Sequence, residues 1–221
     1  MTVHGNKIEK STTSSAINNQ IATLIDAECN YWGTGDPFAI NSYISGNVDF
    51  INYLVVDNTT PGTAYPWDAT NKYSCSGEGP VKNTTKGLSY MKIQTAIDAA
   101  DANDNITVAA GTYTESPNIT KSLTLQGAGS ATTTINSTGT TAVTIGANNV
   151  KIDGFKITNP AGKYGIYAVD KNTITITNNL ITDIGTSDAT TSGTNWGIAI
   201  VSDAATVDSV AIKNNEISNI I

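Results

Sequence analysis

The acidic side chains in the last coils of the repeat, between residues 150 and 221, are candidate acids, bases or metal ligands, and they are scattered singly along the chain. They are Asp153, Asp170, Asp183, Asp188, Asp203, Asp208 and Glu216. Cleavage of a glycosidic bond needs two carboxyl groups that face each other, and abstraction of a proton beside a carboxylate needs a positioned base. In the repeat described below, Asp153 aligns with Thr177 and Lys213 rather than with another acid. Because no acidic pair is forced together, we predict no catalytic residue and no enzyme activity.

Metal binding is indicated at one place. Asp183 and Asp188 lie at the start of an insertion between two repeats, and carboxylate oxygens are ligands of Ca²⁺. Most of the aspartates fall in turns, however, where Asp is favoured because its side chain bonds the nearby backbone. We therefore expect no cofactor and no metal site, with Ca²⁺ at these two residues as the alternative.

The charge of the chain limits its partners. Acidic residues outnumber basic ones by 19 to 12, the net charge is −7, and arginine does not occur. A protein that binds nucleic acid needs a basic surface against the phosphates, so the composition excludes nucleic acid as a partner. The one histidine, His4, is interpreted as an exposed polar residue rather than as a catalytic base.

Three aromatic residues form a candidate sugar platform. Tyr164, Tyr167 and Trp196 fall near the same edge of successive repeats. Aromatic rings that expose their apolar faces in a row would stack on carbohydrate. The favoured interpretation is that these rings pack under a loop, and a polysaccharide is the alternative partner.

The sequence also offers sites for covalent modification. Asn-X-Ser/Thr sequons for glycosylation occur at Asn58, Asn83, Asn105, Asn118 and Asn136. Asn58 and Asn83 are expected to be the most accessible, because they lie in a stretch that reads as a connector. Glycosylation requires a secreted location. Cys29 and Cys75 are either a disulfide in an oxidising compartment or two buried thiols.

An irregular repeat runs through residues 106–221. Apolar and polar residues alternate there with the two-residue period of β-strands. The segments "IDGFKITN" from Ile152, "ITNNLITD" from Ile176 and "IKNNEISN" from Ile212 align without gaps, 24 and 36 residues apart. A repeat made of several short strands predicts one coil of a solenoid per unit. Leucine is too scarce for a leucine-rich repeat, so we predict an all-β fold, a parallel β-helix.

The alignment also predicts a ladder of asparagines. It stacks Asn178 between Gly154 and Asn214, and Asn179 against Asn215 on the adjacent coil, about 4.8 Å apart. Asn and Gly accept the left-handed backbone of tight turns, and stacked Asn side chains can hydrogen-bond along the axis.

A short helix is predicted ahead of the repeat. In "SYMKIQTAIDAADAND", residues 89–104, the apolar residues recur at helical spacing. Such a helix covers the strand edges and the apolar core at one end of a solenoid. We therefore assign the capping helix and the coils to residues 89–221, and an irregular connector rich in Thr, Gly, Pro, Ser and Asn to residues 56–88.

Residues 1–55 are assigned to a terminal coil and a closing segment. "TVHGNKIEKS", residues 2–11, matches the repeat at Ile212. The match places Val3 on Ile212, Gly5 and Asn6 on Asn214 and Asn215, and Ile8 on Ile217.

Two segments resemble a known family. "GLSYMKIQTAIDAADANDNITVAAGTYTE", residues 87–115, resembles the cap and first coil of right-handed parallel β-helix proteins of the pectin-lyase-like superfamily. "DAECNYWGTGDP" with "GNVDFINYL", between residues 26 and 54, resembles the segment that often follows their last coil, with Tyr31 and Tyr53 in place of two tryptophans. Here the closing segment comes first, which implies the end of one β-helix followed by the start of another. The resemblance implies the fold rather than an activity, because this fold hosts both enzymes and surface proteins.

These observations lead to two hypotheses of function. The first is a non-catalytic extracellular structural protein whose open β-helix ends stack head to tail by strand addition, which builds filaments or a surface array. The strands predicted to pair between copies hold Val3, Gly5, Asn6 and Ile8 in one copy and Val210, Ile212, Asn214, Asn215 and Ile217 in the other. The alternative is a fragment of a polysaccharide-binding or polysaccharide-cleaving protein.

The location of the protein is predicted from its leader and its apolar runs. No run of about 20 apolar residues is present, so no membrane span is expected. "MTVHGNKIEK" lacks the hydrophobic region of a signal peptide. The chain is then either cytosolic or a processed segment, and the repeats favour a processed segment at the cell surface or outside the cell.

Overall fold

A computed structural model describes residues 8, 17–20, 25–27, 39–40, 42–45, 48–49, 79–185 and 194–221. The chain divides into two compact units, Met1–Gly79 and Pro80–Ile221. No helix within these described ranges is long and apolar enough to cross a membrane.

In the first unit the described strands pair in parallel. Strand β1 (Ile17–Asn18) pairs with β3 (Ile44–Ser45), and β2 (Ile25–Asp26) pairs with β4 (Val48–Asp49). The paired residues are 44 − 17 = 27 and 48 − 25 = 23 positions apart. Parallel pairing over one repeat length is the pairing of a solenoid. Val3, Gly5, Asn6, Tyr31 and Tyr53 lie outside the described residues, and Ile8 is half-buried and belongs to no strand.

The second unit is a solenoid in which three parallel sheets run along the axis. The first sheet contains β7 (Asp104–Val108), β10 (Leu123–Gly127), β13 (Val150–Asp153), β16 (Ile174–Thr177) and β19 (Ala211–Lys213), preceded by the hairpin strands β5 (Val81–Asn83) and β6 (Leu88–Tyr90). The second sheet contains β8 (Gly111–Tyr113), β11 (Thr133–Asn136), β14 (Lys156–Asn159), β17 (Leu180–Ile184) and β20 (Glu216–Ile217). The third sheet contains β9 (Asn118–Ile119), β12 (Thr141–Ile145), β15 (Tyr164–Val169) and β18 (Trp196–Val201).

The core is built from columns of aliphatic side chains. In the first sheet Ile106, Leu125, Ile152 and Ile176 are in register on successive coils, and all four are fully buried. The residues between them point outward, because side chains alternate along a strand. The predicted all-β parallel solenoid is therefore confirmed.

The capping helix, α1 (Ile93–Ala99), covers the start of this core with Ile93, Ala96 and Ile97. The carboxylate of Glu115 accepts hydrogen bonds from the N–H groups of Ile93 and Gln94, each at 3.0 Å. A negative charge at this end compensates the helix dipole. The predicted helix is confirmed, and it is shorter than the segment that carries its pattern.

Two lysines hold the other end of α1. The Nζ of Lys121 donates to the carbonyl oxygens of Asp98 at 2.7 Å and Ala100 at 2.6 Å. The Nζ of Lys86 donates to the carbonyl of Ala99 at 2.7 Å. Since the last carbonyls of a helix have no intrahelical donor, these positive charges satisfy them.

A β-hairpin occupies the end of the stretch predicted to be an irregular connector, residues 56–88. Strand β5 pairs antiparallel with both β6 and β7. The first sheet is therefore closed at this edge by a strand and not by the helix alone. Thr, Gly and Asn in "VKNTTKGLSY" correctly indicate a turn. The two strands beside this turn are only three residues long, so the sequence pattern did not predict them. Residues 56–78 lie outside the described part, so the predicted division at 55 and 88 stays a prediction.

Candidate functional site

The exposed coil formed by residues 196–221 is the candidate site, and we call it the edge coil. It contains β18, β19 and β20, each of which is the edge strand of its sheet in the described structure. Ile212 and Ile217 are 47% and 48% exposed, whereas Ile176 and Ile181, their neighbours in register, are fully buried. Within the described structure, the edge coil thus exposes side chains at positions that are core positions in the preceding coil.

The backbone of the edge coil is also available for pairing. An edge strand has N–H and C=O groups that point away from its one neighbour. Because β18, β19 and β20 lie at the same end of their three sheets, these groups face one direction. The arrangement can accept a further parallel coil.

A column of left-handed residues forms one corner of the coils. Gly154, Asn178 and Asn214 have φ angles of +77°, +57° and +55°. Glycine adopts this conformation freely and asparagine tolerates it. In these last three coils the left-handed corner is therefore occupied by Gly or Asn.

Beside this corner, asparagine side chains link the coils. The N–H of Phe155 donates to Asn179 Oδ1 at 2.9 Å, and the N–H and Nδ2 of Asn179 donate to Asn215 Oδ1, each at 3.0 Å. The Nδ2 of Asn215 donates to the carbonyl of Ile176 at 2.8 Å. The structure thus brings Asn179 and Asn215 together, as the register required.

The neighbouring predicted pair is arranged differently. Asn178 Nδ2 donates to Asp153 Oδ1 at 2.7 Å rather than to Asn214. Asp153 also lies 2.9 Å from Lys151 Nζ. Burial alone would raise the pKa of Asp153, but the bonds from Lys151, Asn178 and Thr177 together lower it. This carboxylate is held by structural partners.

The aromatic residues stack on one another instead of forming an open row. The rings of Tyr164 and Trp196 are nearly parallel, with an interplanar angle of 11° and centroids 5.4 Å apart. The ring centroids of Tyr164 and Tyr167 are 4.5 Å apart. Lys163 Nζ lies 5.1 Å from the Trp196 ring centre. Because Tyr164 stacks on both other rings, these faces are covered, while Trp196 remains 42% exposed. The sugar platform stays a prediction.

The acidic residues in the described part of the chain do not gather into a metal-binding cluster. In the described ranges no group of three or more His, Cys, Asp or Glu side chains is placed to hold a metal ion. A cavity of about 330 Å³ beside the corner is lined by Ser130, Asn178, Asn214 and the carboxylate of Glu216, among others. Asp183 accepts a hydrogen bond from Asn219. Asp188 and His4 lie outside the described residues, so the Ca²⁺ alternative stays a prediction.

The predicted modification sites differ in accessibility. Asn83 was expected to be among the most exposed, and this expectation is wrong: it is fully buried and donates to Asp104 Oδ2 at 2.7 Å. Asn105 and Asn136 are half-buried and Asn118 is exposed. Asn58, Cys29 and Cys75 lie outside the described residues.

The loop inside the edge coil is fixed by one carboxylate. Asp170 follows β15 and accepts hydrogen bonds from the N–H groups of Asp203 at 2.8 Å, Ala204 at 3.1 Å and Ala205 at 3.1 Å. The bond from Asp203, followed by those from Ala205 and Ala204, lowers the pKa of Asp170. This contact was not predicted, because it joins residues 33 to 35 positions apart across the longer interval between repeats.

Acidification is expected to release this loop. Since the folded pKa of Asp170 is lowered, the bonds stabilise the loop above the ordinary Asp pKa of about 3.9 and are lost as the pH falls through the lower folded value. The amide NMR shifts of residues 203–205 should therefore titrate together, below that pH. Asp170→Asn should remove this titration. Amide shifts that stay constant while the Asp170 carboxyl titrates would contradict the contact.

Residues 80–221 form a parallel β-solenoid whose first coil is covered by α1 and β5, and whose last described coil, the edge coil, exposes Ile212 and Ile217. No family model and no solved structure matches the chain. A cell surface glycoprotein of Methanothermus fervidus is similar to it, 44% identical over 108 residues that make up 48% of this chain and 18% of the relative. The chain therefore spans less than a fifth of that relative's length.

Proposed function

We propose that the protein is a non-catalytic structural component of a cell surface, and that its edge coil accepts a coil from a second copy by parallel strand addition. The exposure of Ile212 and Ile217 carries the proposal, since their counterparts in the preceding coil are fully buried. The similarity to a protein named a cell surface glycoprotein supports the surface location. The resemblance to pectin-lyase-like β-helix proteins is consistent with such a role.

The incoming coil has to come from outside residues 80–221. At the start of this unit β7 is covered by β5, and the side chain of Gln94 bonds both backbone groups of Asn118 on β9, at 2.7 and 3.3 Å. In the first and third sheets, the backbone groups of the first strand are therefore already bonded at the end where a second edge coil would have to pair. The proposal therefore takes the incoming coil from a different segment of the second copy.

The segment "TVHGNKIEKS" has the residues that the edge coil requires. Its Gly5 aligns with the left-handed corner, which is occupied by Gly or Asn in the last three coils and whose backbone conformation glycine adopts freely. Its Asn6 aligns with Asn215 and would continue the asparagine ladder. Its Lys7 aligns with Glu216, so opposite charges would face each other across the new strand pair.

A contact of this kind builds open assemblies. The two surfaces are different parts of the chain, so each copy offers one and receives the other. Heterologous contacts that do not close into a ring generate filaments. We therefore infer filaments or a surface array, whereas the polysaccharide alternative has no observation in the described structure that favours it.

Substituting one apolar residue of the edge coil is expected to abolish assembly. Burial of the exposed half of Ile217 contributes about 1 kcal/mol, and aspartate in its place would have to be desolvated at a cost of about 2 kcal/mol or more. Ile217→Asp should weaken association by more than about tenfold, since about 1.4 kcal/mol is a factor of ten. Negative-stain electron microscopy and sedimentation of the full chain measure this. Val201→Asp, on the outward face of the same coil, is the matched control and should assemble normally.

Charge reversal tests which segment fills the edge coil. Glu216→Lys and Lys7→Glu should each reduce assembly, because each places like charges opposite each other. The double variant should restore it. A monodisperse monomer of the unmodified chain would overturn the proposal, and failure of the double variant to recover would remove this segment as the occupant.

A further inference from the structure

Among the sequons in the described part of the chain, the one at Asn118 is the most accessible. Asn118 is exposed on β9, and the next residue, Ile119, is fully buried. Alternation along the strand therefore points Asn118 outward. Thr120, the hydroxyl residue of the sequon, is exposed as well. The carboxamide and the hydroxyl of this motif belong to residues that are open to solvent.

The other described sequons are engaged in the fold. Asn83 is fully buried and its amide donates to Asp104. Asn136 Oδ1 accepts a hydrogen bond from Thr158 Oγ1 at 3.0 Å. Asn105 is half-buried and its Oδ1 is buried. Attachment of a sugar at any of these three would displace a packed side chain.

We propose that Asn118 carries an N-linked glycan. The inference rests on the proposed surface location, because N-glycosylation takes place on exported chains. The amide nitrogen of Asn118 would form a bond to the anomeric carbon of a phosphate-activated oligosaccharide. The bond from that carbon to the phosphate oxygen breaks, the phosphate leaves with the electron pair, and the nitrogen loses one proton. A separate transferase supplies the donor, and this chain supplies the acceptor.

The position of Asn118 directs the glycan over the outer face of the third sheet. Asn118 is in register with Thr144 on β12, which is in register with Tyr167 on β15. Asn118 Oδ1 would lie 3.1 Å from a Cβ added at Gly146, so the carboxamide leans toward the neighbouring coil. Three strand spacings, roughly 14 Å, separate β9 from β18. The attachment point of the glycan is therefore three strands away from the edge coil.

The test is peptide mass spectrometry of the full chain, produced in a host whose N-glycosylation system modifies a reference protein. The peptide with Asn118 should carry the glycan mass and the peptide with Asn83 should not. Thr120→Ala keeps the acceptor amide but removes the sequon hydroxyl, so occupancy should fall more than about tenfold. Thr120→Ser should restore it. Asn136→Gln is the matched control and should leave occupancy at Asn118 unchanged.

An unmodified Asn118 peptide in that host overturns the inference, and so does occupancy that persists in Thr120→Ala. Assembly is measured separately, by electron microscopy of Asn118→Gln. Filaments should persist in this variant, because the attachment point on β9 is three strands away from the edge coil. Loss of the filaments would show that Asn118 takes part in assembly. Filaments without a glycan would leave the proposed function standing while the modification site fails. A glycan on a chain that stays monomeric would support the modification site and overturn the proposed assembly.

Discussion

Replacing Phe155 with alanine is expected to lower the free energy of unfolding of the second unit by about 3–5 kcal/mol. Phe155 is among the largest fully buried side chains of the described structure, in the turn between β13 and β14. Its ring lies beside Gly127, where an added Cβ would approach the ring at 3.1 Å. The site is closely packed, so the cavity left by the ring would collapse only in part.

Urea unfolding followed by hydrogen exchange of peptides from residues 80–221 measures this loss for the second unit alone. Phe155→Leu should cost less, because it keeps most of the buried volume. Leu88→Ala is the control, since Leu88 is 52% exposed and its truncation should change stability by less than about 0.5 kcal/mol. A loss below about 1 kcal/mol in Phe155→Ala would show that the ring is not packed as described.

Replacing Asn179 with alanine is expected to lower the free energy of unfolding by about 3 kcal/mol. The change leaves the N–H of Phe155 without its acceptor and the carbonyl of Ile152 without its Nδ2 donor, both in a buried corner. A buried polar group that loses its partner costs about 1–3 kcal/mol. Asn215→Ala should cost less, because the edge coil is exposed and water can replace its side chain.

Hydrogen exchange also tests the reason for this loss. In Asn179→Ala the exchange of the Phe155 amide, in the turn before β14, should accelerate more than that of the amides of β14. Asn214→Gly is the matched control at the neighbouring corner position, where φ is +55° and glycine is tolerated without strain. If both variants lose the same stability, backbone conformation rather than the side-chain bonds explains the effect of Asn179.

The architecture could be predicted because it repeats. Ile152, Ile176 and Ile212 share one register, and the two-residue period of each strand fixes which residues point inward. The same alignment places Asn179 against Asn215, and their bonds follow from the distance between coils. These properties depend on nearest-neighbour coils alone.

The contacts that could not be predicted from the sequence are those that do not repeat from coil to coil. The carboxylate that holds the start of α1 comes from Glu115, 22 residues beyond Ile93, and no local pattern marks it. Asn83 lies in a stretch typical of a loop, yet its bond to Asp104 buries it. The edge position of Tyr164 and Trp196 was visible in the alignment, but whether their rings stack or lie open depends on side-chain rotation.

The interval between repeats grows from 24 residues to 36, yet Ile176 and Ile212 still pair in the register that joins Ile152 to Ile176. The 36 − 24 = 12 additional residues therefore leave the strand ladder of the first sheet unchanged. Chain length and coil stacking are thus separable properties in this fold. Insertions between strands can therefore change the residues that the loops expose to solvent, while the pairing of the strands stays the same.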